Sequence, residues 1–184
     1  ARELPCSIIN AGDGTHEHPS QALLDMYSMR EHFGTLEGLH VAIVGDIAHS
    51  RVARSNAYGL KEVGARVTVV APKTLLSPGV QTWGVDVSCD FDQVVKDADV
   101  VMMLRVQKER IAEKCFPNER EYSFFYGLNT RRVDMMKPGA IIMHPGPMNR
   151  GVELTPDAAD GNRSIILTQV ENGMAVRMTM LYLS

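Results

Sequence analysis

The chain has 184 residues, 45% of them hydrophobic and 22% charged, with a formal net charge of −3. That length carries one large domain with a sizeable core, and the acidic balance argues against nonspecific binding to nucleic acid or to an anionic membrane surface. Three scattered cysteines, Cys6, Cys89 and Cys115, form neither a disulfide framework nor a zinc spacing and fit a reduced, cytoplasmic protein. Apolar runs reach only about five or six residues, far short of a membrane span, and no signal-peptide pattern opens the chain.

Taken in chain order, apolar runs of strand length fall at Ser7–Asn10, His40–Val44, Arg66–Ala71, Asp99–Leu104 and Ala140–His144, with a weaker one at Val85–Ser88. The first residue is not Met and a strand-like run follows almost at once, which reads as a cut piece. Helical spacing lies between the runs. In Pro19–Phe33 the positions Leu23, Met26, Tyr27, Arg30 and Phe33 share a face, with Gly34 as the stop. Ser50–Val63 carries Ala53, Ala57 and Leu60 on one face, with Gly64 after it, and Phe91–Ala98 is a short helix. Lys108–Tyr126 is polar with interspersed aromatics and reads as a mobile insertion. Ala175–Leu183 is a helix apolar nearly all round, which must be covered either by this sheet or by another domain or chain. Strands alternating with helices imply βαβ units, hence an α/β, doubly wound, Rossmann-like parallel sheet with helices on both faces.

Four segments carry chemistry. Asn10–Gln21 turns through two glycines into a helix that begins at Pro19, placing His18 at or near the N-cap and Gln21 on the same face. A helix N-terminus disfavours imidazolium, so His18 stays neutral and can donate to a carbonyl oxygen. Gln21 adds a donor and an acceptor, and the pair suits an amide-like or carbamoyl group. In Val44–Asn56 a strand, a glycine and a helix start suggest a dinucleotide site, yet the glycine fingerprint is absent and Val70-Ala71-Pro72-Lys73 offers no ribose-binding acid. His49, Ser50, Arg51 and Arg54 at that helix start are anion-binding chemistry. Arg105 and Gln107 follow the buried strand ending at Leu104, and Arg51 with Arg105 can clamp two carboxylates. A fourth segment, His144-Pro-Gly-Pro147 followed by Met148-Asn-Arg150, extends a buried strand. Pro145 and Pro147 stiffen it and remove two N–H groups, leaving carbonyls to face a ligand. His16, His32 and His40 have no partner legible in the sequence and read as surface or core residues, and no metal cluster or Walker loop is present.

His18-Pro-Ser-Gln21, Gly45-Asp-Ile-Ala-His-Ser-Arg51, Arg105-Val-Gln107 and His144-Pro-Gly-Pro147 occur together in the order and spacing of aspartate transcarbamoylase catalytic chains, and the chain resembles the aspartate-binding half of that family along its whole length. The resemblance implies that residues 1–184 are one aspartate-binding domain without the carbamoyl-phosphate-binding domain. It implies carbamoyl transfer from carbamoyl phosphate to L-aspartate in pyrimidine biosynthesis, no cofactor or metal, and a homotrimer-based assembly in the full enzyme. It makes His18 the catalytic donor to the carbamoyl oxygen, Gln21 the partner of the amino group, the carbonyls of Pro145 and Gly146 acceptors for substrate N–H groups, and Arg51, Arg105 and Gln107 the aspartate carboxylate ligands. The family's Ser-x-Arg-Thr phosphate element is absent; Asn129-Thr-Arg-Arg132 echoes it in the wrong place, so the chain alone is expected to be inactive. Other readings are an ornithine-type relative, disfavoured by two cleft arginines, a non-catalytic regulatory or interaction subunit that retains the fold, and an NAD(P)-binding module.

Overall fold

The computed structural model describes residues 5–106 and 118–184. Five strands form one wholly parallel sheet: β1 (His40–Val44), β2 (Arg66–Val70), β3 (Asp86–Ser88), β4 (Val100–Met103) and β5 (Ile141–Met143). Their order is β3-β2-β1-β4-β5, the doubly wound arrangement expected. β1 lies at the centre, in register with β2 from His40↔Arg66 and with β4 from Val41↔Val100. All five β1 residues are buried, as an interior parallel strand covered on both faces requires. The helices are α1 (Pro19–Phe33), α2 (Arg51–Glu62), α3 (Phe91–Val94), α4 (Glu119–Tyr126), α5 (Thr130–Met135), α6 (Pro156–Ala159) and α7 (Ile166–Leu183). Helix α1 packs against both α2 and α7, and α7 also reaches β5. No helix among the described residues is long and apolar enough to cross a membrane.

Several expectations change. Ser7–Asn10 is not a strand: the sheet edges are β3 and β5, nothing pairs with this segment, and Ile8 is exposed. Its Ser7 Oγ instead donates to the Ser184 carbonyl at 2.7 Å, so the two ends of the described chain touch. Part of the supposed insertion is helix α4, capped by Asn118 Oδ1 and anchored by the fully buried Tyr122; residues 108–117 lie outside the described residues. Phe91–Ala98 is helical only over its first turn, and the C-terminal helix begins nine residues before Ala175, at Ile166.

Helix α1 begins with His18 at the N-cap and Pro19 at N1 and ends on Gly34 in the left-handed conformation, its N–H bonded to the Arg30 carbonyl. Of the residues sharing the helical period, Met26 and Phe33 pack against the core. The buried residues are Ser20, Gln21, Ala22, Leu24, Asp25, Ser28 and Met29, while Leu23 and Tyr27 are partly exposed. Helix α7 buries Gln169 and Gly173, whereas Met178 is 66% and Tyr182 88% exposed. An apolar groove of about 470 Å³ runs between the two helices, lined by Leu23, Met26, Tyr27, Val176, Met180 and Leu183 among others. Of the two ways of covering the C-terminal helix, this sheet does not supply one.

Candidate active site

The strand order reverses between β1 and β4, and a cavity of about 480 Å³ opens at their carboxyl ends. Ligands of open α/β sheets bind at such switch points. The cavity is lined by His18, Gln21, Arg51, Arg105, Pro145 and Gly146, which come from four separate segments. Gln107 lies outside the described residues. Gly14, Thr15, Asp46, His49, Ser50, Val52, Leu104 and Pro147 complete the wall.

Each functional side chain is set by its neighbours. Ser50 caps α2, its Oγ accepting from the Ala53 N–H at 3.2 Å, and so places Arg51 on the first turn. Asn10 Oδ1 accepts from the Gly12 N–H at 2.8 Å, curling the loop over Arg51. Gly12 has φ +125°, which favours glycine, and a Cβ there would stand 2.5 Å from Arg51 Nη1, so the guanidinium would have to shift. Gly45, at φ +136°, meets the same need at the end of β1: a Cβ would be 3.0 Å from Leu104 Cβ. That glycine serves strand packing at the cleft rather than a cofactor phosphate.

His18 donates its backbone N–H to Ser55 Oγ at 2.8 Å, and Ser20 Oγ stands 3.2 Å from its Nδ1. With the Ser20 hydroxyl donating to Nδ1, the neutral ring carries its proton on Nε2. Burial first, and then the charges of Arg51 and Arg177, hold the imidazole below its usual pKa. The imidazole is thus held toward its neutral form by burial and cationic neighbours. Arg54 turns away: it pairs with Glu17 at 3.1 Å and lies over the Tyr58 and Trp83 rings. Of the residues at the α2 start, His49, Ser50 and Arg51 line the cavity and Arg54 does not. His49 Nδ1 lies 2.8 Å from the buried Asp46, a partner that the spacing His49 minus three could have suggested.

The loop after β5 is tied down from both sides. The Gly146 N–H donates to His144 Nδ1 at 2.9 Å, and His144 Nε2 faces the buried Glu153 at 3.4 Å. Glu153 also accepts from the Asn149 N–H, and Asn149 Nδ2 donates to the Val106 carbonyl at 2.9 Å. The Gly146–Pro147 peptide is cis. Arg150 leaves the site for a two-pronged pair with Asp160. The echo at Asn129–Arg132 is structural: Arg132 is buried, bonded to Asp92 and to the carbonyls of Gly127 and Phe125, and stacked on Phe91. His40 is likewise a core residue, its Nε2 2.8 Å from Thr68 Oγ1. Among the described residues no group of three or more His, Cys, Asp or Glu could hold a metal ion.

An imidazole, an amide and two guanidiniums line one cleft at the sheet's switch point. Residues 37–184 match the family described as aspartate/ornithine carbamoyltransferase, Asp/Orn binding domain, and residues 1–31, which include His18 and Gln21, match its carbamoyl-P binding domain. The chain belongs to the aspartate/ornithine carbamoyltransferase family. It is 56% identical over 183 residues to the aspartate carbamoyltransferase catalytic subunit of Pelobacter propionicus and 57% identical to that of Geobacter sulfurreducens, covering 99% of this chain in each case. The chain spans 59% of the length of each of these relatives. Among solved structures it resembles aspartate transcarbamoylase from Trypanosoma cruzi in complex with N-(phosphonacetyl)-L-aspartic acid, with TM-score 0.80, 30% identity, and coverage of 94% of this chain and 57% of that one. It also resembles ornithine carbamoyltransferase from Gloeobacter violaceus, with TM-score 0.77, 28% identity, and coverage of 94% and 60%.

Proposed function

We propose that this chain carries the aspartate-handling part of an aspartate carbamoyltransferase, which transfers the carbamoyl group of carbamoyl phosphate to L-aspartate. The observation that carries the reading is the convergence of His18, Gln21, Arg51, Arg105, Pro145 and Gly146 on one cavity at the sheet's switch point. Arg51 and Arg105 suit the two carboxylates of aspartate, with Gln107 as a further ligand. His18 donates to the carbamoyl oxygen, Gln21 receives the amino group, and the Pro145 and Gly146 carbonyls orient the attacking amine. In the reaction the aspartate nitrogen bonds to the carbamoyl carbon, the carbon–oxygen bond to phosphate breaks, and the amine gives up a proton. Orientation, together with donors aimed at the developing oxyanion, supplies the acceleration.

In this reading residues 37–184 work as the aspartate-side unit of a trimer-based enzyme, and residues 1–31 bring His18 and Gln21 to the cleft from the carbamoyl-phosphate side. The clamp for the phosphate comes from the part of the relatives that this chain does not span, a part that also covers the apolar faces of α1 and α7. Aspartate is favoured over ornithine because two guanidiniums at the cleft repel a side-chain ammonium, and because relatives at 54–58% identity are named for aspartate. The test is product formation by the full-length protein from carbamoyl phosphate with L-aspartate or L-ornithine. Carbamoyl aspartate and phosphate are expected. Citrulline instead, or no turnover, overturns the reading. Steady turnover by the 184-residue chain alone would overturn its division of labour.

A further inference from the structure

Helix α1 buries a carboxylate. Asp25 has no exposed surface, and burial pushes its pKa up to about 6 against the hydrogen bonds that lower it. Three neutral amides surround it. Gln21 Nε2 donates to Oδ1 at 2.9 Å, Gln169 Nε2 donates to the same oxygen at 2.6 Å, and Asn56 Nδ2 donates to Oδ2 at 2.8 Å. The partners come from α1, α7 and α2, so the carboxylate sits where the three helices meet. A structural role alone does not call for it, since apolar residues of similar volume replace buried polar groups with little loss or a gain.

What a carboxylate does that an apolar side chain does not is to fix which way an amide points. Ionised Asp25 only accepts, so each amide must turn its NH₂ toward it. Gln21 then has its Nε2 committed and its Oε1 left for a donor in the cavity that it lines. Gln169 has its Oε1 on the far side, where it accepts the His144 backbone N–H at 3.1 Å. His144 is the root of the Pro145–Pro147 wall. One buried group therefore touches neither ligand nor solvent yet reaches two walls of the cavity.

We propose that Asp25 is a positioning residue for this site: it holds Gln21 with Oε1 turned to the substrate amino group and, through Gln169, anchors the backbone from which the Pro145–Pro147 loop springs. The inference rests on the carbamoyltransferase reading and deepens it.

The experiment is a double-mutant cycle in the full-length protein, read as kcat/KM for carbamoyl phosphate at saturating L-aspartate, with Tm recorded for each variant. Asp25→Leu lowers kcat/KM by about 10- to 100-fold, the range common when a group orienting a site ligand is lost. In a Gln21→Ala background the same change has a factor smaller by at least about threefold, because the group it orients is already gone. Asp25→Asn restores most of the loss: its Oδ1 still accepts from Gln21 and Gln169, while its Nδ2 faces Asn56, whose buried Oδ1 has no partner and can rotate in to accept. An equal factor in both backgrounds, or no loss in Asp25→Leu, overturns the proposal. If Asp25→Leu does not fold, side-chain amide exchange decides: slow exchange of the Gln21 NH₂ into D₂O supports the proposal and free exchange overturns it. Wild-type turnover is the control. Its absence counts against the proposed function, whereas wild-type turnover with an unchanged factor counts against Asp25 alone.

Discussion

Asp25 also makes the fold pH-dependent in an unusual direction. Its folded pKa is about 6 against an ordinary 3.8. Between those values the folded protein keeps a proton that the unfolded chain has released, so stability falls as pH rises through this window. The shift of about two units corresponds to about 3 kcal/mol, fully lost above the folded pKa. Other carboxylates act oppositely. At Asp92 and Asp99 burial pushes upward but is outweighed, by Arg132 and Arg131 at the first and by the His40 amide and Lys137 at the second, so their contributions vanish as pH falls. Wild type alone therefore mixes both signs, and Asp25→Asn isolates one. Urea unfolding followed by circular dichroism at about pH 4 and pH 7 gives the comparison. Going from the lower to the higher pH, wild type should lose about 2.5 kcal/mol relative to Asp25→Asn. A difference below about 1 kcal/mol, or one of opposite sign, would refute the argument that the carboxylate is held against its solvation.

Three further outcomes follow from the geometry. Gly12→Ala forces the Arg51 guanidinium off its present position and strains a φ of +125°; KM for L-aspartate should rise by about tenfold and stability drop by about 1–3 kcal/mol, and an unchanged KM would count against Arg51 as a carboxylate ligand. Arg51→Gln removes one of the cations that depress His18, so the imidazole's NMR titration midpoint should move up toward 6.5, only part of the way because burial is the larger cause; a fall or no change contradicts the assignment. The 184-residue chain should bind a hydrophobic dye and self-associate through Met174, Met178 and Leu181, and Met178→Glu with Leu181→Lys should reduce both; a monomer that binds no dye excludes an open apolar face.

Most of the sheet was legible because its strands announce themselves locally. His40–Val44 and Arg66–Val70 are β-branched runs bounded by turn residues, and helices between them dictate a parallel order. The cleft residues were legible for the same reason: Arg51 and Arg105 each follow directly on a strand-and-turn signal. What failed depended on partners far away in sequence. Ser7–Asn10 has strand composition but no strand beside it. The apolar period of α1 at Leu23, Met26 and Tyr27 does not show which face is buried, because the inward Asp25 is held by amides 31 and 144 positions away. No local pattern shows that Asp25 will meet Asn56 and Gln169. Tyr122 escaped notice because the polar residues around it mask a single buried anchor.

The contact between Ser7 and Ser184 has a practical corollary. Because Ser7 and Ser184 already touch, a linker of a few residues between these two positions carries a small loop-closure cost. New ends opened in the exposed turn at Ser77-Pro78-Gly79 would leave every strand and long helix whole. A chain rearranged in this way keeps α1 and α7 side by side as a covalently continuous pair, no longer two arms reached from opposite ends of the polypeptide. The order of genetic segments could then be separated from the order of the strands, and a reporter would be carried in a turn that neighbours the cleft, where Ser77 shares a small pocket with Thr15, Ser50 and Arg54.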